Sequence, residues 1–336
     1  MRILITGGSG FIGCNAVRYF HARNHTILNI DKLSYAANPE ALEDLSVSER
    51  YRFLQADIND TEMLDNHFER FQPEVVLHLA AESHVDRSIL TPLEFVRTNV
   101  LGTGSILDVA NRYWQQLPLS RARSFRFIHI STDEVYGTLG AKGTFSELSP
   151  YAPRSPYSAS KAGGDHLVMA WHNTYKLPTI ISNCSNNYGP YQHREKLIPT
   201  ILKAALSEDV IPIYGTGKNV RDWIFVEDHI KGIEKLIENG EIGKKYNFGG
   251  DNELDNLSLA HIVCERLDKK LTAKTQKPSK NLITLVPDRP GHDYRYAVDS
   301  TRAKKGLGWK AEKDFATGID YTIDWYLKNR EWLNVV

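Results

Sequence analysis

The sequence predicts an α/β protein, a parallel, doubly wound sheet carrying a smaller, irregular α/β lobe. Three observations predict it. Short β-branched apolar runs alternate with amphipathic stretches through the first half of the chain. Those runs are almost continuously apolar, as strands are when crossover helices bury both faces of a sheet. After about residue 189 the alternation loosens and Pro/Gly punctuation sets in.

The strands are expected at RILIT (2–6), TILNI (26–30), RFLQAD (52–57), EVVLHLA (74–80), FRFIHIS (125–131) and TIISN (179–183). Helical periodicity covers residues 11–23, 61–70, 93–115 and 156–176. Later helices near 198–208, 227–239, 257–268 and 313–332 are mixed with short strand candidates around IPIYGTG and VPDRPGH. Residues 1–188 are expected to form the sheet domain and 189–336 the second lobe, with some later segments returning to the sheet.

The 336 residues carry 41 basic and 41 acidic side chains, a formal charge of zero. No single-sign field points to nucleic acid or to an anionic membrane. The three cysteines, Cys14, Cys184 and Cys264, are odd in number, far apart and without metal-ligand spacing. They suit free thiols of a reducing cytoplasm better than a disulfide framework, and no metal is expected. Met1-Arg2 leads straight into a four-residue apolar run, too short for a signal peptide, and no run approaches a membrane span. A soluble, cytoplasmic protein is the expectation.

The first strand ends in TGGSGFIG, where Gly8 to Gly13 spell G-x-G-x-x-G between a strand and a helix. Gly7 and Gly8 allow the tight turn, Gly10 lets the backbone approach a pyrophosphate, and Gly13 lets the helix pack on the strand. The helix N-terminus offers unpaired N–H groups to the phosphates. The second strand ends at Asp31, where a carboxylate holds ribose hydroxyls and repels a 2′-phosphate, favouring NAD over NADP. Asp57, at the end of the third strand, is placed to reach the adenine side. This is a Rossmann-like cofactor site.

A second motif, Tyr157-Ser-Ala-Ser-Lys161, opens a predicted helix and puts both side chains on one face. A tyrosine acting as a base near neutrality needs its pKa lowered by about three units, ~4 kcal/mol, and a nearby ammonium supplies much of that. Tyr214-Gly-Thr-Gly-Lys218 repeats the spacing by coincidence, in a glycine-rich loop that does not hold the pair on one helical face. Thr132 supplies a hydroxyl at a strand's carboxyl end, where open α/β sheets bind ligands.

The glycine turn, the acidic end of the second strand, Thr132 and the Tyr157 helix, in this order, resemble the extended short-chain dehydrogenase/reductase family. The resemblance covers nearly the full length. It implies hydride transfer between a sugar and nicotinamide, with Tyr157 as base and Lys161 lowering its pKa and holding the nicotinamide ribose. Further cofactor contacts are implied at Phe11, Ile12, Lys32, Ser34, Ile58, Ala81, Thr98 and Asn187.

Asp133 and Glu134 then stand side by side after the fifth strand. A simple dehydrogenase or 4-epimerase has no use for an acid pair at the sugar, whereas a dehydratase does. Once C4 is a ketone, one carboxylate can take the C5 proton while the other, kept protonated, assists departure of the C6 hydroxyl. STDEVYG, LAAESHVDRS (79–88), SPYSASK (155–161), NCSNNYGPY (183–191), EKLIP (195–199), RDWIFVEDH (221–229) and DRPGHD (288–293) together resemble the dTDP-glucose 4,6-dehydratases. In the superfamily's sugar epimerases small or neutral residues replace the acid pair, and GDP-mannose dehydratases keep the glutamate after a serine. The Asp-Glu pair favours the dTDP-glucose type.

That resemblance implies that Thr132 bonds the C4 hydroxyl, Asp133 is the acid at C6 and Glu134 the base at C5. It implies contacts from Ser83 at the sugar, and from Asn186, Lys196, Leu197, Pro212, Tyr214, Arg221 and Asn256 around the sugar, diphosphate and nucleoside. Asp288, Arg289 and His292 would close over the nucleotide. It also implies a homodimer through the helices at 93–115 and 156–176. Arg194, in place of a usual proline, and Gly163-Gly164, in place of serines, depart from the family pattern, as does a short loop after STDEVYG. The same catalytic set would serve UDP-glucose, since it does not report the base. A 4-epimerase and, from another class, a non-catalytic NAD-sensing regulator are the remaining alternatives.

Overall fold

The computed structural model describes residues 1–271 and 277–334. Its centre is a seven-stranded sheet built from β1 (Arg2–Thr6), β2 (Thr26–Asp31), β3 (Tyr51–Gln55), β4 (Val75–His78), β5 (Arg126–Thr132), β6 (Thr179–Cys184) and a late strand. That strand is β10 (Lys245–Phe248), and the order across the sheet is β10-β6-β5-β4-β1-β2-β3 with every pair parallel. Strand order reverses between β1 and β4, so a crevice opens at their carboxyl ends. Alternation along β1 explains its apolar sequence. Ile3 and Ile5 enter the core on one face, and Leu4 enters the core on the other.

Between these strands lie α1 (Phe11–Ala22), α2 (Thr61–Phe71), α3 (Val85–Leu90), α4 (Pro92–Val96), α5 (Thr103–Gln115), α6 (Leu119–Ser124) and α7 (Pro156–Tyr175). The predicted 93–115 helix is interrupted by a π-helical turn, Arg97–Gly102, between α4 and α5. Such turns recur at functional sites. Here α7 presses directly on it, since a Cβ on Gly164 would stand 2.8 Å from the Asn99 carbonyl oxygen. Glycine at 164, one of the departures noted in the sequence, permits that approach. A capping box starts α7. Ser155 Oγ accepts from Ser158 N at 3.1 Å, Ser158 Oγ accepts from Ser155 N at 3.0 Å, and Pro156 takes the first helical position. Tyr157 is thereby fixed in the first turn.

The second half of the chain adds β7 (Asn186–Tyr188), α8 (Leu197–Leu206), β8 (Ile211–Tyr214), β9 (Val220–Phe225) and α9 (Val226–Asn239). After β10 come β11 (Glu253–Asp255), α10 (Asn256–Lys270), β12 (Ile283–Val286), α11 (Thr301–Leu307) and α12 (Phe315–Lys328). Strands β11-β9-β7 and β12-β8 make two small sheets. Ile198, Ile201 and Leu202 of α8 join Leu259 and Val263 of α10 and Ile319 and Ile323 of α12 in a separate core. Two late segments belong with the large sheet instead. β10 extends it beside β6, and Ile230, Ile233 and Leu236 of α9 share a core with α1. The helix expected over 313–332 is α12 followed by a 3-10 turn at Arg330–Leu333. Asn329, at φ −125° and ψ 57°, breaks the run between them.

Candidate active site

Thr132 is the last residue of β5, and Asp133 and Glu134 open the 3-10 turn Asp133–Tyr136 that follows. The Thr132 hydroxyl donates to Asp133 Oδ1 and accepts from Glu134 N, both at 3.3 Å. Asp133 is 1% exposed, and its second oxygen has no hydrogen-bond partner. Glu134 faces a cavity and stays partly exposed.

Three linked cavities run past this turn. The first is lined by Gly7, Asp31, Lys32, Ser34, Ile58, Ala81 and Thr98. The second shares Gly7 and Ala81 with it and adds Phe11, Ile12, Gly13, Thr132, Asp133, Glu134, Tyr157, Lys161 and Asn187. The third shares Ser83, Glu134, Asn186 and Lys196 with the second and continues past Leu197, Pro212, Tyr214, Arg221, Asn256, Arg289 and His292. The fold thus gathers residues spread from Gly7 to His292 along one cleft at the carboxyl edge of the sheet.

The first two cavities fit a dinucleotide. Gly7 has φ +71°, and a Cβ there would lie 2.6 Å from Ala80 N; one on Gly13 would lie 2.1 Å from the Gly7 carbonyl oxygen. Only glycines allow this turn and helix start, which leave room for phosphate against the backbone. Asp31 Oδ2 accepts from Ser9 N at 3.0 Å and Oδ1 from Leu33 N at 2.8 Å. Each oxygen keeps a lone pair for a ribose hydroxyl. Lys32 Nζ donates to Thr98 Oγ1 at 3.1 Å and pairs with Glu82 at 3.3 Å, which offsets the charge it would offer a 2′-phosphate. Replacing Asp31 with Ser should therefore reduce the preference for NAD over NADP by about tenfold or more, ~1.4 kcal/mol in differential affinity. Equilibrium binding of the two dinucleotides measures it. Unchanged discrimination would mean that another residue reads the ribose.

Burial, then the neighbouring Glu134 and Asp222, hold Asp133 well above the usual carboxyl range. Burial also raises Glu134, but Arg289, Arg221 and Lys196 favour its anion. Because Glu134 retains access to the open cleft, solvent and the three cations moderate that rise, and it is raised less than Asp133. The two carboxyls are thus pushed apart, Asp133 towards the acid and Glu134 towards the base.

Tyr157 requires a correction. Lys161 was expected to depress its pKa, yet burial and then Glu134 push the phenol well above its ordinary value, and no lysine offsets them. Lys161 Nζ donates to the Ile130 carbonyl at 2.7 Å rather than to the phenol.

Arg221, Lys196 and Arg289 give the third cavity the charge a diphosphate needs. Arg221 is held by the Val220 and Asp293 carbonyls at 2.8 and 3.1 Å, not by its neighbour Asp222, which accepts from Gly250 N and Asn252 N. Lys196 Nζ donates to the Ser83 carbonyl at 2.9 Å. Three predicted residues do not line these cavities. Gly10 caps α1. Asp57 accepts from Asn59 N at 2.9 Å and shapes the loop beside Ile58. Asp288 accepts from Arg289 N at 2.9 Å and meets His292 Nδ1 at 2.6 Å, so it positions two lining residues. Gln192, Glu195, Trp223 and Asp86 line the third cavity and were not predicted. Asp86, Glu195 and Trp223 lie inside motifs quoted above, and Gln192 follows directly on another. Tyr214 and Lys218 sit apart from the catalytic pair, with Lys218 facing Asp255 at 3.9 Å.

A family model described as GDP-mannose 4,6 dehydratase matches residues 4–322. A probable dTDP-glucose 4,6-dehydratase of Sinorhizobium fredii is 51% identical over 99% of this chain and 94% of its own length. The dTDP-glucose 4,6-dehydratase of Salmonella typhimurium is 49% identical, covering 100% and 95%. The chain belongs to the dTDP-glucose 4,6-dehydratase family. The likeness extends to three dimensions. DesIV, a dTDP-glucose 4,6-dehydratase from Streptomyces venezuelae crystallised with NAD and TYD bound, superposes with a TM-score of 0.90 at 39% identity, covering 99% and 98% of the two chains. Family membership accounts for the placement of Asp133 and Glu134 beside the Tyr157 helix, within one dinucleotide-binding cleft.

Proposed function

We propose that this chain converts dTDP-glucose to dTDP-4-keto-6-deoxyglucose and water, with NAD as its resident cofactor. The observation that carries the reading is the carboxyl pair Asp133 and Glu134, facing one cleft with Tyr157 but in opposed electrostatic surroundings. Relatives near 50% identity named for this reaction support it, as does DesIV with NAD bound.

Bound NAD⁺ supplies the acceptor for the C4 hydride, which returns to C6, and a positive ring that favours the Tyr157 phenolate. Thr132 bonds the C4 hydroxyl and Tyr157 takes its proton. Glu134 removes the C5 proton that the new ketone acidifies. Asp133 gives its proton to the departing C6 hydroxyl, and the C6–O bond breaks as water leaves. Glu134 then returns a proton to C5 as C6 receives the hydride, so the redox balance closes. Arg221, Lys196 and Arg289 hold the diphosphate, leaving the nucleoside to Pro212, Tyr214, Asn256 and His292.

Offering dTDP-, UDP- and GDP-glucose and following loss of one water by mass tests the reading. Water loss confined to dTDP-glucose is expected; preference for UDP-glucose would reassign the base. Turnover should proceed without added cofactor and without net NADH. Steady NADH accumulation with excess NAD⁺ would mark an ordinary dehydrogenase and sink the proposal.

A homodimer through α4, α5 and α7 belongs to the same reading. Leu93 of α4 and Leu101 of the π-helical turn are 75% and 59% exposed, and Leu90 of α3 is 80% exposed, apolar side chains that a partner copy would cover. Light scattering should give twice the chain mass, and Leu93→Glu/Leu101→Glu should give single chains. A cytoplasmic location fits three buried, unpaired cysteines, and among the described residues no helix is long and apolar enough to cross a membrane.

A further inference from the structure

Tyr157, Lys161 and Asp165 follow one another at helical spacing along the buried face of α7. The first two are the Tyr–Lys pair that the family resemblance places at the oxidation step, with Lys161 on the nicotinamide ribose. Asp165 is 1% exposed and lies in the floor beneath the site, where a carboxylate is costly unless something compensates it. Its Oδ2 accepts from Tyr151 OH at 2.7 Å and from Asn183 Nδ2 at 3.2 Å. Its Oδ1 has no aligned hydrogen bond, and the nearest basic atom, His129 Nε2, is 3.2 Å away. His129 is itself buried, and burial and Lys161 lower its imidazole pKa while the facing Asp165 raises it, so it shares the compensation of the carboxylate with other groups. The same donors tie Asp165 to the catalytic strand, because Asn183 Nδ2 also donates to the Thr132 carbonyl at 3.2 Å.

Lys161, 4% exposed, has the complementary problem. It stands one turn before Asp165, a rise of about 6 Å, with its ammonium bonded to the neutral Ile130 carbonyl. Titratable or charged groups face it from every neighbouring element: Tyr157 and Asp165 on α7, His78 on β4, His129 on β5 and Cys184 on β6. Asp165 is the one anion among them. Lys245, on the far side of Asp165, lies 4.4 Å over the Tyr151 ring and is partly exposed.

We propose that Asp165 is a positioning residue of the oxidation step, a fixed buried charge that keeps Lys161 an ammonium in the closed site. The proposal deepens the dehydratase reading and rests on it for the role of Lys161. The surroundings agree in sign: burial lowers the lysine and Asp165 opposes it, while His129, then Lys161 and the Tyr151 hydrogen bond, keep the Asp165 carboxyl low despite its burial. Without this charge, Lys161 would lose its proton at lower pH and with it the grip on the nicotinamide ribose.

Lysine ε-carbon NMR, with the Lys161 signal assigned from Lys161→Met, reads the ionisation directly and needs neither substrate nor turnover. In Asp165→Asn the Lys161 midpoint should fall by about one to two pH units, the size expected for loss of one nearby unit charge across an effective dielectric of about 20. Asp165→Glu should restore most of it. In parallel, the alkaline limb of kcat/KM should move down by the same amount in Asp165→Asn, which a purely structural role would not produce. An unchanged Lys161 midpoint in folded Asp165→Asn overturns the proposal. A shifted midpoint in a protein that does not dehydrate dTDP-glucose overturns the functional reading and leaves the coupling standing. Should Asp165→Asn not fold, Lys161→Met/Asp165→Asn, which removes both charges, should fold and melt higher than Lys161→Met; a double variant no more stable than that single one also overturns it.

Discussion

Asp133→Asn is expected to cut dehydration of dTDP-glucose by about 10²–10⁴-fold, the usual contribution of a positioned general acid. The loss should shrink sharply for the 6-fluoro analogue, because fluoride leaves without needing a proton. Equal slowing of both substrates would show that Asp133 is not the acid. The parent's pH profile carries the same information. Burial, Glu134 and Asp222 raise the Asp133 pKa, so elimination should fail as pH rises through that raised value. With the fluoro analogue the loss due to Asp133 should be absent, leaving only the alkaline loss set by Lys161. There is a stability consequence too. A carboxyl raised on folding binds more protons in the native than the unfolded state, so it lowers stability as pH climbs from its ordinary 3.8 towards the folded value. Above that window Asp133→Asn should melt higher than the parent while working far more slowly, the trade expected of a site held unfavourably for its chemistry.

Glu134→Gln should reduce overall turnover by a similar ~10²–10⁴-fold and abolish exchange of the C5 hydrogen with solvent deuterium. Parental deuterium wash-in would place the base elsewhere. Oxidation should survive in this variant, seen as reduced cofactor formed on the enzyme in a single turnover. It should also shift. Glu134 is, after burial, the largest influence raising Tyr157, so removing its charge lowers the tyrosine's pKa. The acid limb of the oxidation half-reaction should move to lower pH, and an unmoved limb would show that the two groups are not coupled in the working enzyme.

Much of the cleft was legible in the sequence because its determinants are local. A glycine turn between strand and helix, a carboxylate ending the next strand and an i, i+4 Tyr–Lys pair each carry their geometry in their spacing. The two acids were legible for the same reason, since a strand end fixes which edge of the sheet they occupy. The second lobe was less so. Its helices were located near their observed bounds, but the return of α9 and β10 to the large sheet is a matter of which apolar face finds which partner, and periodicity does not record partners.

The sequence by itself determined the strand–helix alternation, the glycine turn, the acidic end of the second strand and most of the residues that line the cleft. Only the tertiary structure decided their ionisation and orientation. Spacing placed Lys161 between Tyr157 and Asp165, but folding turned its ammonium onto Ile130 O. Spacing placed Arg221 beside Asp222, but folding gave the guanidinium to the third cavity of the cleft and the carboxylate to the backbone of Gly250 and Asn252. The physical reason is common to both. Helix and strand geometry are set by neighbours along the chain, whereas the charge state of a buried group is set by desolvation and by partners that only the packed fold brings within a few ångströms.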